Sequence, residues 1–266
     1  MKFENLILEI DGRGVAALSL NRPDRHNAFN DEMIAELSEA FELLAGHKSV
    51  RAVILRGQGK SFCAGGDLHW MKKAAAYSQK QNQADGMRLS DMYHALKSLP
   101  KPVIALAHGA VMGGGAGLIA CADIAIASSD ARFAFSEVRL GLIPATISPF
   151  VIAAIGERQA RRYFLTGERF GADTARAIGL AHEVVPTPAD LGPAAERMIN
   201  LLLQAAPEAV AGAKALIAEV SNRPISKELR TMTAKVIAEV RAGDEAKEGL
   251  AAFFGKRKPG WCSSDE

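Results

Sequence analysis

The chain has 266 residues, 48% hydrophobic and 23% charged, which suits a globular protein large enough to bury a sizeable core. Its 32 lysines and arginines against 30 aspartates and glutamates leave a net charge of +2, so charge gives no general reason to expect nucleic-acid binding. Three widely spaced cysteines indicate neither a disulfide framework nor a zinc site; there is no apolar leader and no run near eighteen apolar residues, so a cytoplasmic location without membrane contact is expected.

In chain order, Leu6–Ile10 and Val15–Leu20 read as strands joined at Asp11-Gly12. Asn30 suits the N-cap of a helix running through Leu44, with Ile34, Leu37, Phe41 and Leu44 at helical spacing. Residues 52–55 form a strand, and Gly57-Gln58-Gly59 leads into a loop over residues 62–67. Residues 72–85 are polar, rich in Gln and Ala and without firm periodicity, so a loop or mobile lid is expected there. Helix and strand then alternate through strands at Val103–Ala107 and 124–127, followed by 133–135, which argues for an α/β core. Beyond Pro186 the chain reads as helices over 191–204, 209–220, 227–241 and 245–254, a helical appendage to a core spanning residues 1–190.

Two glycine-rich turns stand out as carriers of chemistry. Phe62-Cys63-Ala64-Gly65-Gly66-Asp67-Leu68 follows the strand at 52–55, and Gly113-Gly114-Gly115-Ala116-Gly117 follows the one at Val103–Ala107. Both lie past the C-terminal ends of apolar strands, where α/β proteins bind ligands. The second also opens a helix, whose first N–H groups lack partners in their own turn and can donate to an oxygen that gains charge. Taken singly, either loop is more often a tight turn than a site. Glu137, set between 133–135 and Leu140, would lose solvation and titrate high, as proton transfer near neutral pH requires; the alternative is an ion pair with Arg132 or Arg139. Gly57-Gln58-Gly59-Lys60-Ser61 fails as a phosphate loop because Ile54 stands where its first glycine belongs, and the six histidines show no ligand spacing.

Together with Asn21-Arg22-Pro23-Asp24-Arg25-His26-Asn27-Ala28-Phe29, Lys101-Pro102-Val103, Cys121-Ala122-Asp123 and the stretch from Glu137 to Pro144, these loops resemble the crotonase (enoyl-CoA hydratase/isomerase) superfamily over essentially the whole chain. The resemblance implies an α/β spiral of ββα repeats with a C-terminal helical trimerisation region (residues 191–266), assembled as a homotrimer or as a hexamer of paired trimers. It implies an acyl-CoA thioester substrate whose carbonyl oxygen rests between the N–H groups of Gly66 and Gly114, with no metal and no cofactor beyond the CoA of the substrate. Arg25, Ala28, Ala64, Gly65, Asp67, Leu68 and Gly113 match positions around the CoA and acyl site. Phe253 and Lys256 resemble residues that reach the nucleotide end of CoA, often from a neighbouring subunit. Trp70, Met71, Ile143 and Phe150 are candidate acyl-pocket walls, with core packing as the alternative for each.

Family hydratases with two acids carry one glutamate at the position of Gly117 and another at that of Glu137. Here only Glu137 is present, so it would both activate water and return the proton. Ser136 through Phe150, with Ala160-Arg161-Arg162-Tyr163, is similar to bacterial methylglutaconyl-CoA and isohexenylglutaconyl-CoA hydratases of leucine and acyclic terpene breakdown, whose substrates are branched and carry a distal carboxylate. The reading that follows is hydration of such an enoyl-CoA, with Gly117 making room for a branched acyl chain. The competing readings are a crotonase-fold isomerase, decarboxylase or thioester hydrolase; an RNA-binding protein, for which Lys72-Lys73 and Lys256-Arg257-Lys258 supply only short basic clusters; and an inactive CoA-ester binder.

Overall fold

Hydrophobic alternation along the strands decides how the layers stack. A computed structural model describes residues 3–262. β1 (Leu6–Ile10) and β2 (Val15–Leu20) form the expected hairpin, in register Leu6 opposite Leu20, and the Asp11 carboxylate accepts from the N–H groups of Arg13 and Val15 in the turn. From β2 onward the sheet is parallel, through β3 (Ala52–Gly57), β4 (Val103–Ala107), β6 (Ile124–Ser128) and β9 (Glu183–Val185), in the order β1-β2-β3-β4-β6-β9. A second sheet holds β5 (Ala110–Met112), β7 (Arg132–Ala134) and β8 (Phe170–Gly171).

Both faces of the parallel strands are covered, as such strands require. Val53, Leu55, Val103 and Ala105 join the larger core with α1 (Asp31–Gly46), α3 (Gln79–Ser98) and α4 (Gly114–Cys121). Ile104, Leu106 and Ile126 belong to the other face, where Leu191, Ala194, Ala195 and Ile199 of α7 (Leu191–Gln204) close a smaller core. Although α7 opens the C-terminal helical run, it is therefore a layer of the core rather than part of an appendage. The chain is completed by α2 (Leu68–Ala74), α5 (Ser148–Thr166), α6 (Ala172–Ala177), α8 (Pro207–Val220), α9 (Lys227–Ala242) and α10 (Asp244–Phe254). On α8, Pro207 occupies the first turn, where no N–H is needed.

The segment 72–85 differs from expectation. It contains the end of α2, a short turn and the start of α3, where Ser78 and Gln81 form a reciprocal capping box. Most of its polar side chains face solvent, because the buried stripe of α3, Leu89, Met92, Tyr93 and Leu96, lies further on. A first turn that touches no core shows no hydrophobic period.

Candidate active site

Strand pairing outside the two sheets brings the glycine loops together. Cys63 pairs with Val111: its N–H donates to the Ala110 carbonyl at 3.1 Å, and the Met112 N–H donates to the Cys63 carbonyl at 2.9 Å. Gly66 pairs with Phe29, whose N–H donates to the Gly65 carbonyl and whose carbonyl accepts from the Asp67 N–H, both at 2.7 Å. In such a parallel bridge Phe29 engages the residues flanking Gly66, so the N–H of Gly66 itself faces away from Phe29, with no hydrogen-bond partner among the described residues. Trp70 and Met71 of α2 roof it: a ring carbon of one and the sulfur of the other lie 3.3 Å from where a Gly66 Cβ would stand. The indole N–H of Trp70 is buried and likewise has no partner among the described residues.

On the second loop, Gly113 turns the chain out of β5 with φ +46°, a conformation that favours glycine, and its N–H donates to the Ala134 carbonyl at 2.8 Å. Gly114 is then the first residue of α4, where its N–H has no intrahelical partner and sits at the positive end of the helix dipole.

Glu137 begins a short 3₁₀ turn (Glu137–Leu140) closed by Gly141 in a left-handed conformation. Its carboxylate lies against the second glycine loop, with Oε1 2.9 Å from the position a Gly113 Cβ would take. Oε2 is buried without a hydrogen-bond partner among the described residues. Among those residues neither Arg132 nor Arg139 pairs with it; Arg132 donates instead to the carbonyls of Ser129 and Ala131. Burial holds the Glu137 carboxyl above its ordinary value, partly offset by its own backbone N–H. The thiol of the first loop is inert, since burial pushes Cys63 up to about 12.

Asp67 has a structural assignment. Its Oδ1 caps α2 by accepting from the His69 N–H at 2.8 Å, and its Oδ2 pairs with Arg22 at 3.0 Å. Burial alone would raise this carboxyl, but the His69 N–H and the Arg22 guanidinium outweigh it and hold it below the usual range. Arg22 also donates to the carbonyl of buried Ala28, so it ties the first glycine loop to the segment after β2. Half-buried Ala64 donates its N–H to the His26 carbonyl. Arg25, exposed on its own 3₁₀ turn (Pro23–Arg25), lines a cavity of about 230 Å³ with Arg22, Asp67, His69, Trp70 and Lys73. Leu68, opening α2, and Ile143, past the Glu137 turn, are largely exposed, and Phe150 is half-buried against Tyr93. Phe253 and Lys256 lie exposed at the end of α10, which packs on α9, and no described hydrogen bond links their side chains to the glycine loops. Among the described residues, no three His, Cys, Asp or Glu side chains are grouped to hold a metal ion.

Gly117 corrects an expectation. The place of the absent acid is filled: Ile147 Cγ2 lies 2.5 Å, and two ring carbons of Tyr93 lie 3.1 Å, from where a Gly117 Cβ would begin. No room for a branched acyl chain is left at that point. Arg22, Phe29, Tyr93 and Ile147 complete the surroundings, and none of the four is singled out by the sequence reading. Tyr93 was within reach of it, because Leu89, Met92, Tyr93 and Leu96 follow helical spacing and the Ser78-x-x-Gln81 pair before them is a capping signal.

The profile of the enoyl-CoA hydratase/isomerase family matches residues 11–264. The chain is 34% identical over 263 residues to the short-chain-enoyl-CoA hydratase of Clostridium acetobutylicum, covering 97% of each protein. Among solved structures it superposes on an enoyl-CoA hydratase from Shewanella pealeana with a TM-score of 0.95 and 42% identity, over 98% of this chain and 97% of that one. It superposes on Pseudomonas aeruginosa AtuE with a TM-score of 0.93 and 38% identity, over 98% and 100%.

Proposed function

Since the chain belongs to the enoyl-CoA hydratase/isomerase family and is an enzyme of the enoyl-CoA hydratase type with the crotonase fold, we propose that it adds water across the α,β double bond of a branched 2-enoyl-CoA that carries a distal carboxylate, of the methylglutaconyl or isohexenylglutaconyl kind. The observation that supports hydration is the Glu137 carboxylate, desolvated, with one oxygen unpartnered among the described residues, and lying against the loop that presents Gly114.

In this reading the thioester oxygen accepts from the N–H groups of Gly66 and Gly114. Each such donor contributes about 3 kcal/mol as charge builds on that oxygen. Glu137 takes a proton from water, the hydroxyl adds to the β-carbon, and the displaced electron pair moves onto the thioester oxygen as an enolate. The protonated Glu137 then returns its proton to the α-carbon. With Gly117 covered by Ile147 and Tyr93, one carboxyl serves both proton transfers.

The branched, carboxylated substrate is supported by the resemblance of residues 136–150, not by space at Gly117. The exposed apolar side chains of Leu140, Leu142 and Ile143, directly after Glu137, support a large acyl group. A homotrimer, alone or paired, is supported by the apolar surface of the C-terminal helices, where Leu250, Phe253 and Phe254 are more than half exposed.

The test is a panel of crotonyl-CoA, methylglutaconyl-CoA and isohexenylglutaconyl-CoA, with products resolved by mass. Gain of one water on a branched, carboxylated member is expected, lost in Glu137→Gln while thioester binding is retained. An isomer, loss of carbon dioxide or free CoA as the product would replace hydration with the corresponding reaction. Preference for crotonyl-CoA would overturn the substrate class.

A further inference from the structure

Both backbone donors are held by one aromatic pair, Phe29 and Tyr93. Phe29 pairs through its main chain with the segment around Gly66, while its ring stands 2.7 Å from where a Gly114 Cβ would lie. The Tyr93 hydroxyl lies 2.7 Å from that same point and donates to the Gly114 carbonyl at 2.9 Å. The two rings meet edge to face, with centroids 6.5 Å apart at 79°, and Phe150 backs Tyr93 at 5.8 Å. Tyr93 is fully buried, and burial pushes its phenol well above the ordinary value, so the hydroxyl keeps its proton and stays a donor.

We infer that Tyr93 is a positioning residue of the reaction: by holding the Gly114 carbonyl it sets the orientation of Gly114 and aims the N–H of that residue at the thioester oxygen. The inference rests on the reading that Gly66 and Gly114 supply the two donors. Its physical basis is that glycine has no side chain by which packing can fix its backbone, so an external restraint must do so. The tyrosine hydroxyl adds that restraint at the first residue of α4, whose own N–H has no intrahelical bond to fix it. A donor acts at full strength only if its orientation is set before charge develops. The same side chain covers Gly117, so one residue both closes the place of the absent acid and steadies the oxyanion donor beside it. Tyr93 touches no reacting atom in this scheme.

Tyr93→Phe keeps the ring over Gly117 and removes the hydroxyl alone. The kcat on the best enoyl-CoA of the panel is expected to fall about tenfold, short of the roughly hundredfold loss of a whole donor, with KM and Tm nearly unchanged. A readout that needs no turnover is the infrared carbonyl band of bound butyryl-CoA, ¹³C-labelled at the thioester carbon. Two donors lower its frequency in the wild-type enzyme; in Tyr93→Phe the band should move part of the way back. Phe29→Leu, which opens the other wall around Gly114 and leaves the hydroxyl in place, should move it in the same direction. A wild-type band at the free frequency would overturn the donor reading and the role of Tyr93 with it. A wild-type shift kept in full by Tyr93→Phe, with unchanged kcat, would overturn the role of Tyr93 alone, even if Tm fell.

Discussion

Ile147 stands where a side chain of Gly117 would have to begin, its Cγ2 2.5 Å from that point. A branch methyl on a buried residue cannot swing aside as a long flexible chain can, so this position is closed to any side chain without movement of α5 or α3.

Restoring an acid here is therefore expected to fail. Even Gly117→Ala should cost about 1–3 kcal/mol through overpacking, read as a drop in the urea midpoint. Gly117→Glu should unfold more readily still and gain no hydratase activity. Adding Ile147→Ala should recover part of the Gly117→Ala loss, because the two changes share one contact. Additive losses in that cycle would show that Ile147 does not block the position.

Proton transfer at Glu137 sets the pH profile. Its carboxyl titrates above the ordinary glutamate value because it is buried, and it must be ionised to take a proton from water. The acid limb of kcat/KM should therefore lie above pH 4.5, the ordinary value, and vanish in Glu137→Gln. The stability effect has the opposite sense. A raised carboxyl pKa stabilises the fold while the group is protonated, and that contribution is lost as pH rises through the folded value. Glu137→Gln should accordingly be more stable than the wild type at neutral pH and lose that advantage in acid. A limb at or below 4.5 would contradict the burial described for this group.

The Arg22–Asp67 pair predicts the reverse dependence. Asp67→Asn preserves the shape and can still cap α2, but it leaves the largely buried Arg22 guanidinium without its charge partner, at a cost of roughly 3 kcal/mol. Because the folded carboxyl titrates below 3.8, its contribution is present above that pH and lost as pH falls through the folded value. Urea melts of wild type and variant should thus be well separated at neutral pH and converge in acid. An equal gap at both ends would mean that packing, not charge, is lost.

Lys214 on α8 donates to the Asp123 carboxylate at 2.7 Å and to the Lys101 carbonyl at 3.1 Å, while Asp123 also accepts from the Val103 N–H at 2.8 Å. This half-buried link joins the C-terminal helices to the strand that leads to the second glycine loop. Lys214→Met should speed amide exchange in α8 and α9 and leave β4 protected. Exchange that rises equally in β4 would make the contact part of the global core instead.

How much of this was legible depends on what kind of constraint each residue meets. Gly113 and Glu137 could be found from sequence, since a left-handed turn before a helix and an acid among apolar residues are local requirements. The α/β order followed from fully apolar strands such as β4, which only a two-sided sheet can bury. Tyr93 and Ile147 were not legible in their roles: each is an ordinary core residue by type, and only tertiary packing brings them onto Gly117 from two different helices or their edges. The same limit explains the misreading of Gly117 itself. A missing side chain says that volume has been vacated, but not which neighbour has moved in.

The pairings of Cys63 with Val111 and of Gly66 with Phe29 have a further consequence. They tie the donor loops through main-chain hydrogen bonds, so the separation of the two donors does not depend on which side chains line the acyl pocket. Wall positions such as Met71 or Ile143 can then be exchanged to suit a different acyl group while the grip on the thioester stays the same. Reshaping the pocket, whether by natural divergence or by engineering, should alter selectivity in KM long before it erodes the chemical step.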